Sequence, residues 1–465
     1  MDMLRHEPLR ALAQATHGTE FEGSLWVVGG AVRDELLGRS TSPDFDIVIG
    51  PSQGVNRLTS DGLVALLVRR GLAETAPALY EQFGTAMLHV AGSTMEFVAA
   101  RKESYRGDSR KPTVEPATLL EDARRRDFTC NALLFGLHGQ GVADPLGVGL
   151  ADLEARTLRT PLDPAQTFSE DPLRMLRAVR FRHQLGFDYA VGLAESIRQE
   201  SHRLAIISRE RIRDELQKML LLAVADRALA DLLHLGLLIQ FAPICVAMAG
   251  VQQGGYHHLD VWEHSLLVVR NAGVGDLILT LSALLHDVGK PPTAVLDERG
   301  VTRFFSHEVI GAEMSHAWLL QMRFSGEIAD RVARLVKNHM RLGSSPTFTP
   351  TAARRVIRDM GSDLERLLAL VEADAASLRP GVRRLDLTPI RRQIEAVQRA
   401  TPLSTLVSPL SGREIMDALG LEPGPEVGRA KAWLLEQVLE GKLTPGDKQA
   451  AVALLKGTAS PPRYL

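Results

Sequence analysis

Apolar and polar positions follow two different periods along this chain, and the change of period marks its organisation. The run Leu25-Trp26-Val27-Val28 ends in Gly29-Gly30, continues as Ala31-Val32-Arg33-Asp34-Glu35-Leu36-Leu37 and returns as Phe45-Asp46-Ile47-Val48-Ile49. That order predicts strand, tight turn, helix, strand. Between residues 61 and 71, Leu63, Leu66 and Leu67 recur at helical spacing and Gly71 is a stop. Residues 85–90 and 94–99 read as strands joined at Ala91-Gly92-Ser93, a hairpin signal. Residues 101–116 are charged and broken by Gly107, Pro112 and Pro116, which predicts a loop. An apolar helical stretch is expected after Arg124-Arg125-Arg126, and a further helix after Ser169, placed as its N-cap with Pro172 in the first turn. Residues 190–249 are helical in pattern. Pro243 and the glycine-rich run 250–255 mark a boundary, beyond which apolar helical segments alternate with Pro/Gly breaks up to a loose tail at 460–462.

Composition narrows this picture without naming a partner. A chain of 465 residues holds two to four domains, and sparse aromatics beside abundant Leu, Ala and Arg favour a mostly helical protein with one small sheet. A formal charge of −2 advertises no nucleic-acid surface over the whole chain, so any such surface must be local. Two cysteines, Cys130 and Cys245, make neither a disulfide framework nor a zinc knuckle. No apolar run approaches the ~20 residues of a membrane span. A cytoplasmic protein with no membrane partner is the expectation.

The candidate chemistry sits in four patches. Asp44 and Asp46 are two apart, so a strand turns both carboxylates to one face, where hard oxygen ligands open to solvent suit Mg²⁺ and substrate phosphates. The adjacent Gly29-Gly30 turn offers free amides to a triphosphate, with Arg33 as a charged second hand. Glu96, mid-strand, is either a third carboxylate of that site or the solvent face of an alternating strand. In the second patch, Arg124-Arg125-Arg126-Asp127, one arginine can be held by Asp127 while another reaches a phosphate. In the third, Asp171, Arg174, Arg177 and Arg180 repeat every three residues along one side of a helix. Such a ladder is either surface ion pairing or a set in which Asp171 and Arg174 imitate the hydrogen-bonding edge of a partner base while the others hold phosphates. The fourth is a His/Asp set in apolar helical segments, namely His264, His286-Asp287 and Asp374 with His307 and His339 between, a donor set suited to a transition metal.

Gly-Gly-Ala-Val-Arg-Asp, Asp-Phe-Asp, Arg-Arg-Asp-Phe-Thr-Cys-Asn-Ala and Glu-Asp-Pro-Leu-Arg-Met-Leu-Arg-Ala-Val-Arg-Phe occur in that order. In this the chain resembles the class II tRNA nucleotidyltransferases, the CCA-adding enzyme and poly(A) polymerase family, joined to an HD phosphohydrolase domain. The resemblance spans residues 25–215 and 257–375. It implies an α+β chain: a small mixed-sheet head over 1–160, a helical nucleotide-selecting and RNA-binding neck over 161–250, an all-α HD domain over 251–385 and a helical tail over 386–465.

It further implies Mg²⁺ on catalytic Asp44 and Asp46, and nucleotide contacts from Gly29, Gly30, Arg33 and Arg126. Asp171 and Arg174 would act as a protein template for CTP and then ATP, with Arg177 and Arg180 nearby. In the HD part, His264, His286, Asp287 and Asp374 become ligands of a divalent transition metal, and His307 and His339 candidates for a second ion. The partner would be tRNA, and in relatives the HD part is linked to 2′,3′-cyclic phosphate hydrolysis. The 101–116 loop matches an element used in switching to ATP, which disfavours a CC-only enzyme. Cys130 replaces a commoner β-branched residue, with a packing consequence only. Rival readings are an A-only enzyme, a poly(A) polymerase, and an inactive RNA-binding platform serving an HD hydrolase.

Overall fold

The computed structural model describes residues 2–40, 44–51, 58–80, 84–104, 113–254, 258–343, 348–379, 381–382, 384–400 and 405–457. Its contacts divide into two compact units, Met1–Phe241 and Ala242–Leu465.

The first unit is built on a seven-stranded sheet. Its strands are β1 (Leu25–Val28), β2 (Phe45–Ile49), β3 (Ala78–Tyr80), β4 (Thr85–Val90), β5 (Ser93–Ala99), β8 (Leu134–Gly136) and β9 (Gly141–Ala143), in the order β3-β4-β5-β2-β1-β8-β9. Only β2 and β5 pair in parallel, so the sheet is mixed. A short ladder β6 (Arg101–Ser104) to β7 (Thr113–Pro116) and a two-residue parallel pair β10 (Thr157–Leu158) to β11 (Asp188–Tyr189) stand outside it. The helices are α1 (Glu7–Thr16), α2 (Gly30–Leu36), α3 (Ser60–Arg69), α4 (Leu119–Arg124), α5 (Gly149–Glu154), α6 (Pro164–Glu170), α7 (Leu173–Leu185), α8 (Leu193–Glu200), α9 (Arg209–Leu220) and α10 (Ala225–His234). Period-two burial sorts the sheet's side chains: Val28, Val48 and Leu134 turn to one face with Ala100, and Trp26, Val98 and Leu119 of α4 pack against them.

Three expectations are corrected here. Residues 101–104 and 113–116 pair as an antiparallel ladder rather than forming a plain loop, because each arm supplies backbone partners for the other; 105–112 lie outside the described residues. The apolar run after Arg126 is not an α-helix. A 3-10 turn, Thr129–Asn131, leads into β8, since Leu134 to Gly136 fill the free edge of β1. Ser169 is no N-cap: Asp163 caps α6 through Ala165 and Gln166, Ser169 lies in its last turn, and Pro172 opens α7. The strands β3 and β9 went unforeseen, being too short to show an alternation.

The second unit contains α11 (Pro243–Val246), α12 (Val261–Asn271), α13 (Leu277–Leu285), α14 (Lys290–Thr293), α15 (His307–Gln321), α16 (Gly326–Asn338), α17 (Pro350–Met360), α18 (Leu364–Ala376), α19 (Thr388–Ala400), α20 (Gly412–Leu419), α21 (Pro425–Leu439) and α22 (Lys448–Gly457). Helix α13 is its centre: Ile278 through Leu285 are all buried, as a helix apolar on every side must be. The unit is not purely helical, because β12 (Ala294–Leu296) and β13 (Thr302–Phe304) form a hairpin before α15. The tail at 460–462 lies outside the described residues.

Candidate functional site

The register of the sheet assembles the first site. Val28 pairs with Asp46, Asp46 with Glu96 and Val48 with Val98, so Val28, Asp46, Glu96 and Val98 share one face. Thr85, opposite Val98 on β4, joins them. These five residues, with Arg101, Arg125 and Arg126, line a cavity of about 180 Å³. Asp44 has the same parity as Asp46 one step before β2, is open to solvent, and accepts from the Thr94 amide at 3.4 Å. Gly29 is required here: its φ of +81° is a conformation other residues resist, and an added Cβ would stand 3.4 Å from the Asp46 carboxylate.

Like charges crowd this wall. Burial raises the Asp46 carboxyl, with Arg126 opposing and Asp44 adding to the rise. Burial and then Asp46 raise Glu96, against Arg101. A divalent cation relieves that repulsion, and the donor set of solvent-facing carboxylates is that of Mg²⁺. Three arginines line the cavity with the acids, and two of them share one carboxylate. Arg126 donates from Nε (3.1 Å) and Nη2 (2.9 Å) to Oδ2 of Asp122, while Arg125 donates from Nε (3.0 Å) and Nη2 (2.7 Å) to Oδ1.

The other residues singled out from the sequence are engaged by groups of the protein itself. Arg33 is buried, donating to both oxygens of Asp34 at 2.9 Å and to the Asn131 side-chain oxygen at 2.5 Å, its guanidinium 5.0 Å from the Phe181 ring centre. Gly30 packs 3.4 Å from that guanidinium at its virtual Cβ. Asp171, between α6 and α7, accepts from Arg211 at 2.9 Å and from the Leu173 amide at 3.2 Å. Arg174 is buried and donates to the Thr167 carbonyl, to Glu170 and, at 2.5 Å, to the carbonyl of Arg125. It does not line the cavity; it bonds the backbone of a residue that does. Arg177 donates to Asp127 at 2.6 and 2.8 Å, and Arg180 to Glu215 at 2.6 Å.

The second site lies within Ala242–Leu465 and gathers all six His/Asp residues. The donor atoms of His264, His286 and Asp374 lie within 4.8 Å of one another, and so do those of Asp287, His307 and His339. His264 Nε2 is 3.0 Å from Asp374, while Asp287 sees His286 at 3.1 Å, His307 at 3.4 Å and His339 at 3.8 Å. Each of His286, His307 and His339 places Nδ1 at 2.7 to 2.9 Å from the carbonyl three residues earlier. That bond orients each ring and points its Nε2 toward the cluster. Among the described residues, Nε2 of His286 and of His307 are buried without a hydrogen-bond partner. Burial and the charge of His286 push His339 down to about 4, so it is neutral, the ligating form. These orphaned nitrogens fit a transition metal. Gly289 makes the cluster possible, because any Cβ there would collide with the His307 carbonyl.

Sequence reasoning missed the wall residues Thr85, which strand register places opposite Val98, and Arg101; Arg125 stood in the second patch without a role of its own. It also missed two groups whose spacing carried a signal: Asp122, three and four residues before Arg125 and Arg126, and Lys290, three after Asp287. Lys290 is buried, donating to Asp287 and to Gln253 at 2.6 Å.

A mixed sheet with neighbouring carboxylates at a cavity lined by three arginines, and a helical unit with a His/Asp cluster able to hold metal, define a nucleotidyltransferase head and an HD-type domain. Family comparisons agree. Residues 25–159 match the poly A polymerase head domain, 186–248 the probable RNA- and SrmB-binding site of polymerase A, and 254–377 the HD domain. The chain is 35% identical to a CC-adding tRNA nucleotidyltransferase of Thermus thermophilus over 92% of each chain. It is 36% identical to an A-adding tRNA nucleotidyltransferase of Deinococcus radiodurans, over 72% of this chain and 79% of that one. A CCA-adding enzyme of Bacillus stearothermophilus, solved in complex with CTP, shares the fold with a TM-score of 0.69 over 98% of both chains at 24% identity. The chain belongs to the tRNA nucleotidyltransferase and poly(A) polymerase family and carries an HD domain.

Proposed function

We propose that this protein adds the 3′-terminal CCA to tRNA from CTP and ATP, and that its HD domain is a metal-dependent phosphohydrolase. The observation that carries the transferase reading is the register that sets Asp46 beside Glu96 on a cavity wall opposite Arg125 and Arg126. Asp44 and Asp46 would hold Mg²⁺, which when bound supplies charge neutralisation at the reacting phosphate. The arginines bind and orient the triphosphate from the other side, where paired N–H donors match phosphate oxygens. The terminal hydroxyl of the RNA attacks the α-phosphorus, the bond to the β-phosphate oxygen breaks, and pyrophosphate leaves.

Asp171 and Arg174 serve as the base-reading pair in this reading. Their present partners, Arg211, Glu170 and the Thr167 and Arg125 carbonyls, must exchange for the base when a nucleotide enters. In the HD domain His264, His286, Asp287 and Asp374 would hold the metal, with His307 and His339 toward a second ion. A cytoplasmic setting goes with this reading. Both free cysteines are buried, and no helix among the described residues is long and apolar enough to cross a membrane.

The test is incorporation on tRNA lacking its last three nucleotides, given CTP alone and then CTP with ATP. Two cytidines and then one adenosine are expected, and absence of cytidine incorporation discards the CCA reading. The Asp44→Ala/Asp46→Ala double variant should lose incorporation while keeping any HD phosphatase activity. A second reading, partial addition, is favoured by the Thermus and Deinococcus relatives, which are named for CC and for A addition. Products that stop after two cytidines, or adenosine added only to tRNA already ending in CC, would establish it.

A further inference from the structure

The buried carboxylate of Asp122 is used by neither proposed reaction, yet it is the hub of the arginine wall. It is 2% exposed. One oxygen takes Nε and Nη2 of Arg125 and the other takes Nε and Nη2 of Arg126, so each guanidinium is held side-on by its own oxygen. The Arg101 backbone is tied in as well: its amide reaches Asp122 Oδ1 at 3.4 Å and its carbonyl accepts from Arg125 Nε at 3.1 Å. Local sequence builds this hub. Thr118 and Glu121 close a capping box at the start of α4, and the helix ends at Arg124. Asp122 is thereby fixed one turn before the two side chains it holds.

Three physical consequences follow. Two guanidinium groups side by side repel, and a single buried carboxylate between them lets both stay at one wall. Burial alone would raise the Asp122 carboxyl, but Arg126 and Arg125 hold it below the usual carboxylate range, so the hub stays charged. Finally, a carboxylate that holds Nε and one Nη of each arginine fixes the rotamers of two guanidinium groups whose residues line the cavity.

We propose that Asp122 is the positioning residue of the nucleotide site, holding Arg125 and Arg126 as a preorganised clamp for the triphosphate and not for the base. This rests on the reading of the cavity as the nucleotide site. It predicts a signature that loss of structure would not give, because a base-blind clamp must affect every triphosphate alike.

The experiment compares the full-length protein with Asp122→Asn and Asp122→Glu in steady-state incorporation on defined tRNA ends, with inorganic tripolyphosphate as a competitive inhibitor that has phosphates and no base. For Asp122→Asn the KM for CTP and for ATP should both rise about tenfold, as expected from one charge-assisted contact. The ratio of the two KM values should hold, kcat should fall by less than about threefold, and the tripolyphosphate inhibition constant should weaken by the same factor as KM. Asp122→Glu, which keeps the charge, should recover part of the loss. If Asp122→Asn proves too unstable to assay, Asp122→Glu against tripolyphosphate decides, since a displaced carboxylate must still weaken inhibition. Unchanged KM and inhibition, or a change in the CTP to ATP ratio, overturns the proposal for Asp122 alone. Failure of the wild-type protein to incorporate either nucleotide or to be inhibited by tripolyphosphate overturns the nucleotide-site reading and the clamp with it.

Discussion

At the scale of single residues, charge is stationed where burial makes it matter. Asp127 is the clearest case: burial would raise its carboxyl, but the Arg177 charge and the hydrogen bonds from Asn131 and Arg177 bring it to about 2. The folded value lies below the unfolded one, so the stabilisation is fully present above about pH 4 and disappears as pH falls through the folded value. That difference is worth on the order of 2 kcal/mol. Asp127→Asn should therefore lower unfolding free energy at pH 7 by about that amount and flatten its decline between about pH 4 and pH 2, as measured by denaturant titrations at stepped pH. Equal losses at pH 7 and pH 2 would rule out the ionic origin. The sequence foretold this pair only in part. An arginine held by Asp127 was expected among its neighbours, whereas the partner is Arg177, fifty positions away.

Among the elements, β8 shows how tertiary context decides between readings of one apolar run. Cys130 to Gly136 has no charge to mark a face, so helix and strand read alike in the sequence; the vacant edge of β1 settles it in favour of β8. Leu134 then sits 2% exposed against Val28, Val48 and Ala100. Leu134→Ala should cost about 2 to 5 kcal/mol by cavity formation against β1 and β2, measured by thermal or urea unfolding. A loss below about 1 kcal/mol would mean that the sheet face is not packed as described. The β6–β7 ladder carries the same lesson in reverse. Pro116 spoke for a loop, yet residues 101–104 and 113–116 pair through their backbones.

For the molecule as a whole, the HD cluster ties metal to stability. Six residues spread from 264 to 374 gather into two groups of three, and among the described residues the buried Nε2 atoms of His286 and His307 have no hydrogen-bond partner. A metal bound only by the folded state raises its melting temperature. Chelator-stripped protein should therefore melt higher on addition of Mn²⁺ or another transition metal, and His307→Ala should shrink that shift along with the metal content measured by mass spectrometry. No shift in the wild type would remove the metal assignment. By itself the sequence determined the strand-turn-helix-strand opening and, by residue type, the membership of the His/Asp set, while the fold class followed from the family resemblance of its motifs. Tertiary structure alone decided which strand edges met, hence that Glu96 and Thr85 share a wall with Asp46, and which arginines line the cavity beside them. The physical reason is that strand register and ion-pair choice are set by backbone hydrogen bonds and burial between segments far apart in the chain, about which local pattern is silent.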